Sequence, residues 1–145
     1  LCPPEGQCFN LLMQFIDIPF RKIWTNDIPR PCLPITLINS KMKKLFNTYG
    51  IIDTGADECT FPAQICDIIG LKLKEGKSKK IITAAGETIA YSHNISIDIN
   101  GFRLNNMFVD FVPRLNIPLL GTRNFLAHFV LTIDYPKHKF SLRQH

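Results

Sequence analysis

Apolar residues in this chain come in short bursts broken by turn-forming residues, a pattern of strands rather than long helices. From Leu33 onward the bursts follow one another closely. Residues 33–38 predict a strand, Asn39-Ser40-Lys41 a turn and residues 44–52 a second strand, together a hairpin. In residues 61–70, Pro62 near the start and Gly70 at the end predict one short helix. Residues 81–83, 88–91 and 95–99 alternate as half-buried strands do, and Asn100-Gly101 turns the last of them into residues 102–104. Residues 107–112, 131–135 and 139–142 complete a mainly β domain of about nine short strands. Residues 122–129 have room for one or two helical turns.

The first thirty residues differ in texture. Six of the ten prolines fall within residues 1–34, a density that breaks up helices and central strands. Residues 1–30 therefore read as an irregular arm with one strand at residues 10–18, serving as a dimer strand, a leader or a linker. Residues 31–145 read as a single domain. The total of 145 residues, 46% apolar and 20% charged, fits that division. A chain of this size buries roughly two-thirds of its unfolded surface, so its core needs neither metal nor disulfide. The longest stretch free of Asp, Glu, Lys and Arg is residues 6–16, too short to span a bilayer as a helix. The opening Leu1-Cys2-Pro3-Pro4 has no basic lead-in to an apolar run, so no signal peptide is expected. A start at Leu1 suggests a piece cut from a longer product.

The net charge of +5 is concentrated. Lys72, Lys74, Lys77, Lys79 and Lys80 cluster around Glu75, and Lys41, Lys43 and Lys44 form a second knot. Neither cluster holds the aromatics or arginines that would stack on bases or fork onto phosphates, so solvated loop lysines are the simpler reading and no nucleic-acid partner is expected. Five cysteines (Cys2, Cys8, Cys32, Cys59, Cys66) cannot all pair within one chain, and none has zinc-ligand spacing. Cys59 and Cys66 sit among apolar neighbours, as small hydrophobes do. Free thiols favour a reducing, cytoplasmic setting, though Cys2 and Cys8 could bridge in an exported protein. His93, His128, His138 and His145 share no ligand spacing, so surface or structural roles are expected, with no metal and no cofactor. Trp24 and the phenylalanines read as core or interface, with Phe102, Phe108, Phe111 and Phe125 candidates for lining an apolar cleft.

The chemistry concentrates in Tyr49-Gly50-Ile51-Ile52-Asp53-Thr54-Gly55-Ala56-Asp57-Glu58-Cys59-Thr60. Apolar residues run straight into an acid, a hydroxyl and a glycine. An acid ending a buried strand is costly to desolvate unless something holds it. Gly55 lets the chain turn sharply and lets another backbone approach. The bland alternative is an Asx turn, for which Asp-Thr-Gly is good material. On composition alone such a tripeptide turns up in roughly one chain in ten to twenty of this size, so by itself it decides little.

Its context decides more. Ile117-Pro118-Leu119-Leu120-Gly121 repeats the motif of large aliphatics followed by Gly, with Gly121 sixty-six residues beyond Gly55. Between the two lies Ile81-Ile82-Thr83-Ala84-Ala85-Gly86-Glu87-Thr88-Ile89-Ala90, a hairpin with a tip of small residues. In this order the set resembles the retropepsin-like aspartic proteases, the single-lobe relatives of pepsin, over about residues 33–142. The resemblance implies a closed, dimeric β-barrel with one or two short helices. It implies an aspartic endopeptidase in which Asp53 and its symmetry mate, braced by Thr54 and Gly55, activate a water against a polypeptide substrate. Two carboxylates about 3 Å apart cannot both ionise, so such a pair shares one proton. Asp57, Ala84, Ala85 and Gly86 would contact substrate, and Ala56, Leu120, Gly121 and Arg123 would support the site.

Two departures stand out. The retroviral pattern puts Arg directly after the Gly, whereas Gly121-Thr122-Arg123 is one residue longer. Arg123 could therefore reach Asp57, pair with a different acid, or lie on the surface. The hairpin tip also carries fewer glycines than retroviral flaps, which implies a stiffer lid. A non-catalytic peptide-binding or dimerisation module of the same fold is the alternative; the intact Asp53 and Gly55 favour the enzyme.

Overall fold

A computed structural model describes residues 14–145. The strands are β1 (Gln14–Pro19), β2 (Cys32–Asn39), β3 (Lys44–Ile52), β4 (Thr60–Pro62), β5 (Lys77–Thr83), β6 (Gly86–Ile99), β7 (Phe102–Val112), β8 (Leu119–Leu120), β9 (Phe129–Asp134) and β10 (Lys139–Gln144). One helix, α1 (Ala63–Ile68), follows Pro62 as the sequence predicts, and two single 3₁₀ turns occupy Leu73–Glu75 and Leu126–His128. The expected Cys2–Cys8 bridge and the first residues of the expected strand at 10–18 lie outside the described residues.

Seven strands make the main sheet in the order β2-β3-β8-β4-β7-β6-β5, and β2 also pairs with β6 through Thr36–Asp98, Leu37–Ile97 and Ile38–Ser96. That pairing brings inward-facing rows together: Leu33, Ile35 and Leu37 of β2 meet Ile95, Ile97 and Ile99 of β6, all buried. Phe61, Phe111 and the Ile65, Cys66 and Ile69 side chains around α1 fill the interior from the other side. A second, three-stranded sheet, β1-β10-β9, adds Phe140 and Leu142 to the same core. In β1 the register slips between Phe15 and Ile18 where Asp17 takes φ 52°, its N–H donating to Ser141 Oγ (3.0 Å).

Three sequence readings need correction. Residues 88–91 and 95–99 belong to one strand, β6, because Ser92, His93 and Asn94 continue the ladder against Asp110, Val109 and Phe108. Residues 102–104 and 107–112 likewise merge into β7. The polar Asn105-Asn106 bends this strand, with Asn106 at φ 54°, but does not end it. Lys77, Lys79 and Lys80 are exposed as expected, yet they stand on β5 rather than in a loop. In β5 and β6 the polar residues that look like a break are carried by a neighbouring strand's backbone, which supplies the hydrogen bonds that water would otherwise supply, whereas Asn105-Asn106 fall at a register shift where the Ser96 hydroxyl donates to Asn105 Oδ1 (2.9 Å). By contrast the Asn100-Gly101 turn forms as read, both residues at positive φ and the Gly101 N–H donating to Asp98 Oδ1 (2.9 Å). No helix among the described residues is long and apolar enough to cross a membrane.

Candidate active site

Asp53 is the first residue past β3, and its backbone is fixed by a neighbour far along the chain. β8 runs parallel to β3 with Leu119 beside Ile51 and Leu120 beside Ile52. The Ile51 N–H donates to the Pro118 carbonyl (2.9 Å) and the Asp53 N–H to the Leu120 carbonyl (3.0 Å). Gly50 makes room for this: a Cβ there would stand 2.7 Å from Leu120 Cγ. The Asp53 carboxylate is held by its own loop, with the Gly55 N–H donating to Oδ1 (3.0 Å) and the Ala56 N–H donating to the Asp53 carbonyl (3.3 Å). The Asx turn that the tripeptide favours is therefore the device that positions the acid.

The closing segment crosses this loop at very short range. A Cβ on Gly121 would overlap the Glu58 carbonyl and come within 2.9 Å of the Ala56 carbonyl oxygen. The Thr122 N–H (2.9 Å) and Oγ1 (3.2 Å) both donate to the Ala56 carbonyl, and the Arg123 N–H donates to the Asp57 carbonyl (2.8 Å). Of the alternatives left open for Arg123, the structure takes the second. Its guanidinium Nη1 lies 3.0 Å from Glu58 Oε1, while the exposed Asp57 carboxylate makes no ion pair among the described residues. Asn124 Nδ2 adds donors toward Glu58 Oε2 and the Phe108 carbonyl, each at 3.4 Å. Thr122 occupies the position at the Ala56 carbonyl, so the arginine falls one residue later and its acid one residue later too.

The β5–β6 hairpin roofs the site. It closes through a two-residue turn between Thr83 and Gly86, with Gly86 at φ 112°. Thr83 Oγ1 donates to the Gly86 carbonyl (2.9 Å) and accepts from the Ala85 N–H (3.2 Å), so a side chain ties the tip together. Between loop and hairpin lies a cavity of about 770 Å³. Asp53, Gly55, Ala56, Asp57, Glu58 and Thr60 line it from below, and Lys79, Ile81, Ile82, Thr83 and Ala84 from the hairpin, with Asp110, Leu119 and Arg123 at its side. Thr54 is exposed beside it, Leu120 is buried behind it, and Ala85 and Gly86 border a smaller cavity of about 380 Å³ with residues 112–115.

The phenylalanines offered as cleft lining do not line it. Phe111 and Phe125 are fully buried in the core, Phe102 packs edge-on against Phe129, and Phe108 faces solvent. Sequence reasoning missed Glu58, Lys79 and Asp110. Asp110 carried a signal: it is the lone acid in Met107-Phe108-Val109-Asp110-Phe111-Val112, and a buried acid demands a partner. Lys79 Nζ is that partner, 2.9 Å from Asp110 Oδ2.

The cysteine next to the loop is chemically quiet. Cys32, Cys59 and Cys66 are free and buried, and desolvation pushes the Cys59 thiol up to about 12. A thiol held protonated is a poor nucleophile. Among the described residues no group of three or more His, Cys, Asp or Glu side chains is placed to hold a metal ion.

If the hairpin is a lid, its tip should matter to turnover more than to folding. Ala85→Pro removes the N–H that donates to Thr83 Oγ1 and leaves the core untouched. Turnover of a test peptide should fall about tenfold. The melting temperature should move by no more than about 3 °C. Equal loss of both would mark the hairpin as structural.

A model of the aspartyl protease family matches residues 46–124, which hold the Asp53 loop, the hairpin and the closing segment. Among solved structures, the fold is similar to that of a retropepsin-like aspartic protease from Rickettsia conorii. The identity is 23% and the TM-score 0.57, covering 78% of this chain and 92% of that one. It is also similar to EIAV protease complexed with the inhibitor HBY-793, at 16% identity and TM-score 0.50, covering 68% of this chain and 88% of that one. No curated protein matches the sequence.

Proposed function

This chain belongs to the aspartyl protease family, and from that premise we propose that it is an aspartic endopeptidase acting as a homodimer, with Asp53 and its symmetry mate as the catalytic pair. The observation that carries the reading is the placement of Asp53. It is backbone-anchored to Leu120, its carboxylate is held by the Gly55 N–H, and it opens into a cavity roofed by a hairpin. The chain supplies one Asp-Thr-Gly, and peptide hydrolysis of this kind uses two carboxylates, so the second comes from a second copy.

In the pair one carboxylate is ionised and one protonated. The ionised member takes a proton from a water, whose oxygen attacks the scissile carbonyl. The protonated member donates to the carbonyl oxygen, and collapse of the intermediate passes a proton to the leaving amine. An extended peptide would lie as an added strand between hairpin and loop, its backbone meeting Gly55, Asp57 and Ala84. Residues 31–145 form the catalytic domain in this reading, and residues 1–30 are its arm.

The test is a digest of a denatured protein at acid pH, with and without pepstatin, a general inhibitor of this class. Pepstatin-sensitive cleavage is expected, with specific activity falling faster than linearly on dilution as dimers dissociate. Specific activity that stays constant well below the dimer dissociation constant would refute the two-chain site. A folded protein that cleaves nothing would favour the non-catalytic module.

A further inference from the structure

Two ion pairs line the cavity that holds Asp53, and both are built with the same asymmetry. In the first, the Asp110 side chain is 6% exposed and Lys79 is 42% exposed, with 2.9 Å between them. In the second, Glu58 is 15% exposed and Arg123 is 68% exposed, at 3.0 Å. In each pair the cation is the more exposed partner, and both cations line the cavity. An ammonium has three N–H groups and a guanidinium five, and these bridges use few of them. Within each pair the more accessible charge is therefore positive, while Asp53 and Asp57 line the same cavity.

The positions of the remaining acids give the cleft a direction. Asp53, whose carboxylate makes no ion pair among the described residues, opens the loop, where the bond would be cut, and Asp57, also outside any ion pair there, directly precedes Glu58. The cations stand toward its end. Asp110 is tied there by its N–H to the Cys59 carbonyl (2.9 Å) and lies beside Thr60 in the β4–β7 register, and it carries Lys79. Stability alone is a weak reason for this design, since a half-exposed pair contributes about 0–1 kcal/mol and burying a carboxylate has its own cost.

We propose that the cleft selects peptides bearing an acidic side chain a few residues from the scissile bond, received by Lys79 and Arg123. The proposal rests on the peptidase reading above and adds to it the substrate class. Because Lys79 belongs to the hairpin and Arg123 to the closing segment, an acidic side chain received by both would bridge lid and floor. Acidic substrates would then hold the lid shut, and basic ones would meet like charge.

The experiment uses statine-centred peptides, in which the statine hydroxyl fixes the register against the acid pair. Each flanking position in turn carries Glu, Gln or Lys. Dissociation constants are measured on the wild type alongside turnover of a cleavable peptide. At one or two positions Glu should bind about tenfold tighter than Lys, with Gln between. Lys79→Gln and Arg123→Gln should each shrink the Glu-over-Gln ratio, the two variants guarding against loss of fold in either. Tight binding with no charge preference, a preference for Lys, or a Glu preference unchanged in both variants overturns the proposal and leaves the peptidase standing. Failure to bind any statine peptide together with absence of turnover overturns both.

Discussion

Asp53→Asn is expected to abolish peptide cleavage while leaving the fold intact. Asn keeps an oxygen where Oδ1 accepts the Gly55 N–H, so the turn that holds the side chain survives, as does the Asp53 N–H bond to Leu120. What disappears is the ability to exchange a proton with water and with the scissile carbonyl. General acid–base participation is worth about 10²–10⁴-fold, and in the proposed homodimer both partners of the pair are altered at once, so activity should reach background. Melting temperature and far-UV spectrum should match the wild type. The pH profile of the wild type supplies a second reading of the same idea. In the proposed pair only the singly protonated form is competent, so the profile should be a bell, falling on one side as the pair gains its second proton and on the other as it loses its last. Retention of most of the cleavage by Asp53→Asn in the same assay would remove Asp53 from the chemistry.

Gly121→Ala should damage both stability and turnover, far more than its single methyl suggests. That methyl would meet the backbone carbonyls of Glu58 and Ala56, not the movable end of a side chain. The closing segment and the Asp53 loop cannot both stay in place, so the bonds from Thr122 to Ala56 and from Arg123 to Asp57 must stretch. Overpacking of this kind costs about 1–3 kcal/mol. For a domain of this size that lowers the melting temperature by roughly 3–10 °C. The loop that moves carries the acid, and a displacement near 1 Å is worth about a hundredfold in rate. Gly86→Ala makes the contrast: a Cβ there meets nothing within 4 Å, so its cost is the strained positive φ at the hairpin tip rather than a clash with the Asp53 loop. Equal activity of Gly121→Ala and wild type would mean that the crossing does not position Asp53.

Much of this molecule is legible in the chain because it is local. The β2–β3 hairpin, the helix bounded by Pro62 and Gly70 and the Asn100-Gly101 turn follow from period-two alternation and from turn residues acting on their immediate neighbours. The Asp53 turn belongs here too, since Gly55 bonds a side chain only two positions away. The ordered likeness of residues 49–60, 81–90 and 117–121 to one protease family is also a property of the string itself.

Tertiary structure decided the rest. β4 and β8, three and two residues long, are too short to show any period, and they exist because the parallel strands beside them offer unpaired backbone groups. Ser92, His93 and Asn94 look like breaks and become strand, since the ladder against Asp110, Val109 and Phe108 is a better partner than water. Arg123 and Glu58 are 65 positions apart, as their hydrogen bond records, and no spacing rule says that one extra residue at Thr122 moves the pairing from Asp57 to its neighbour. Which charges are accessible at the cavity wall is likewise set by packing: Asp110 is buried and Glu58 partly so, while their partners Lys79 and Arg123 are more exposed. A sequence specifies the turn chemistry of each residue with its neighbours. Which distant side chains share a dielectric, and so which charges a ligand meets, is fixed only when the whole core packs and water is excluded from one face of each pair.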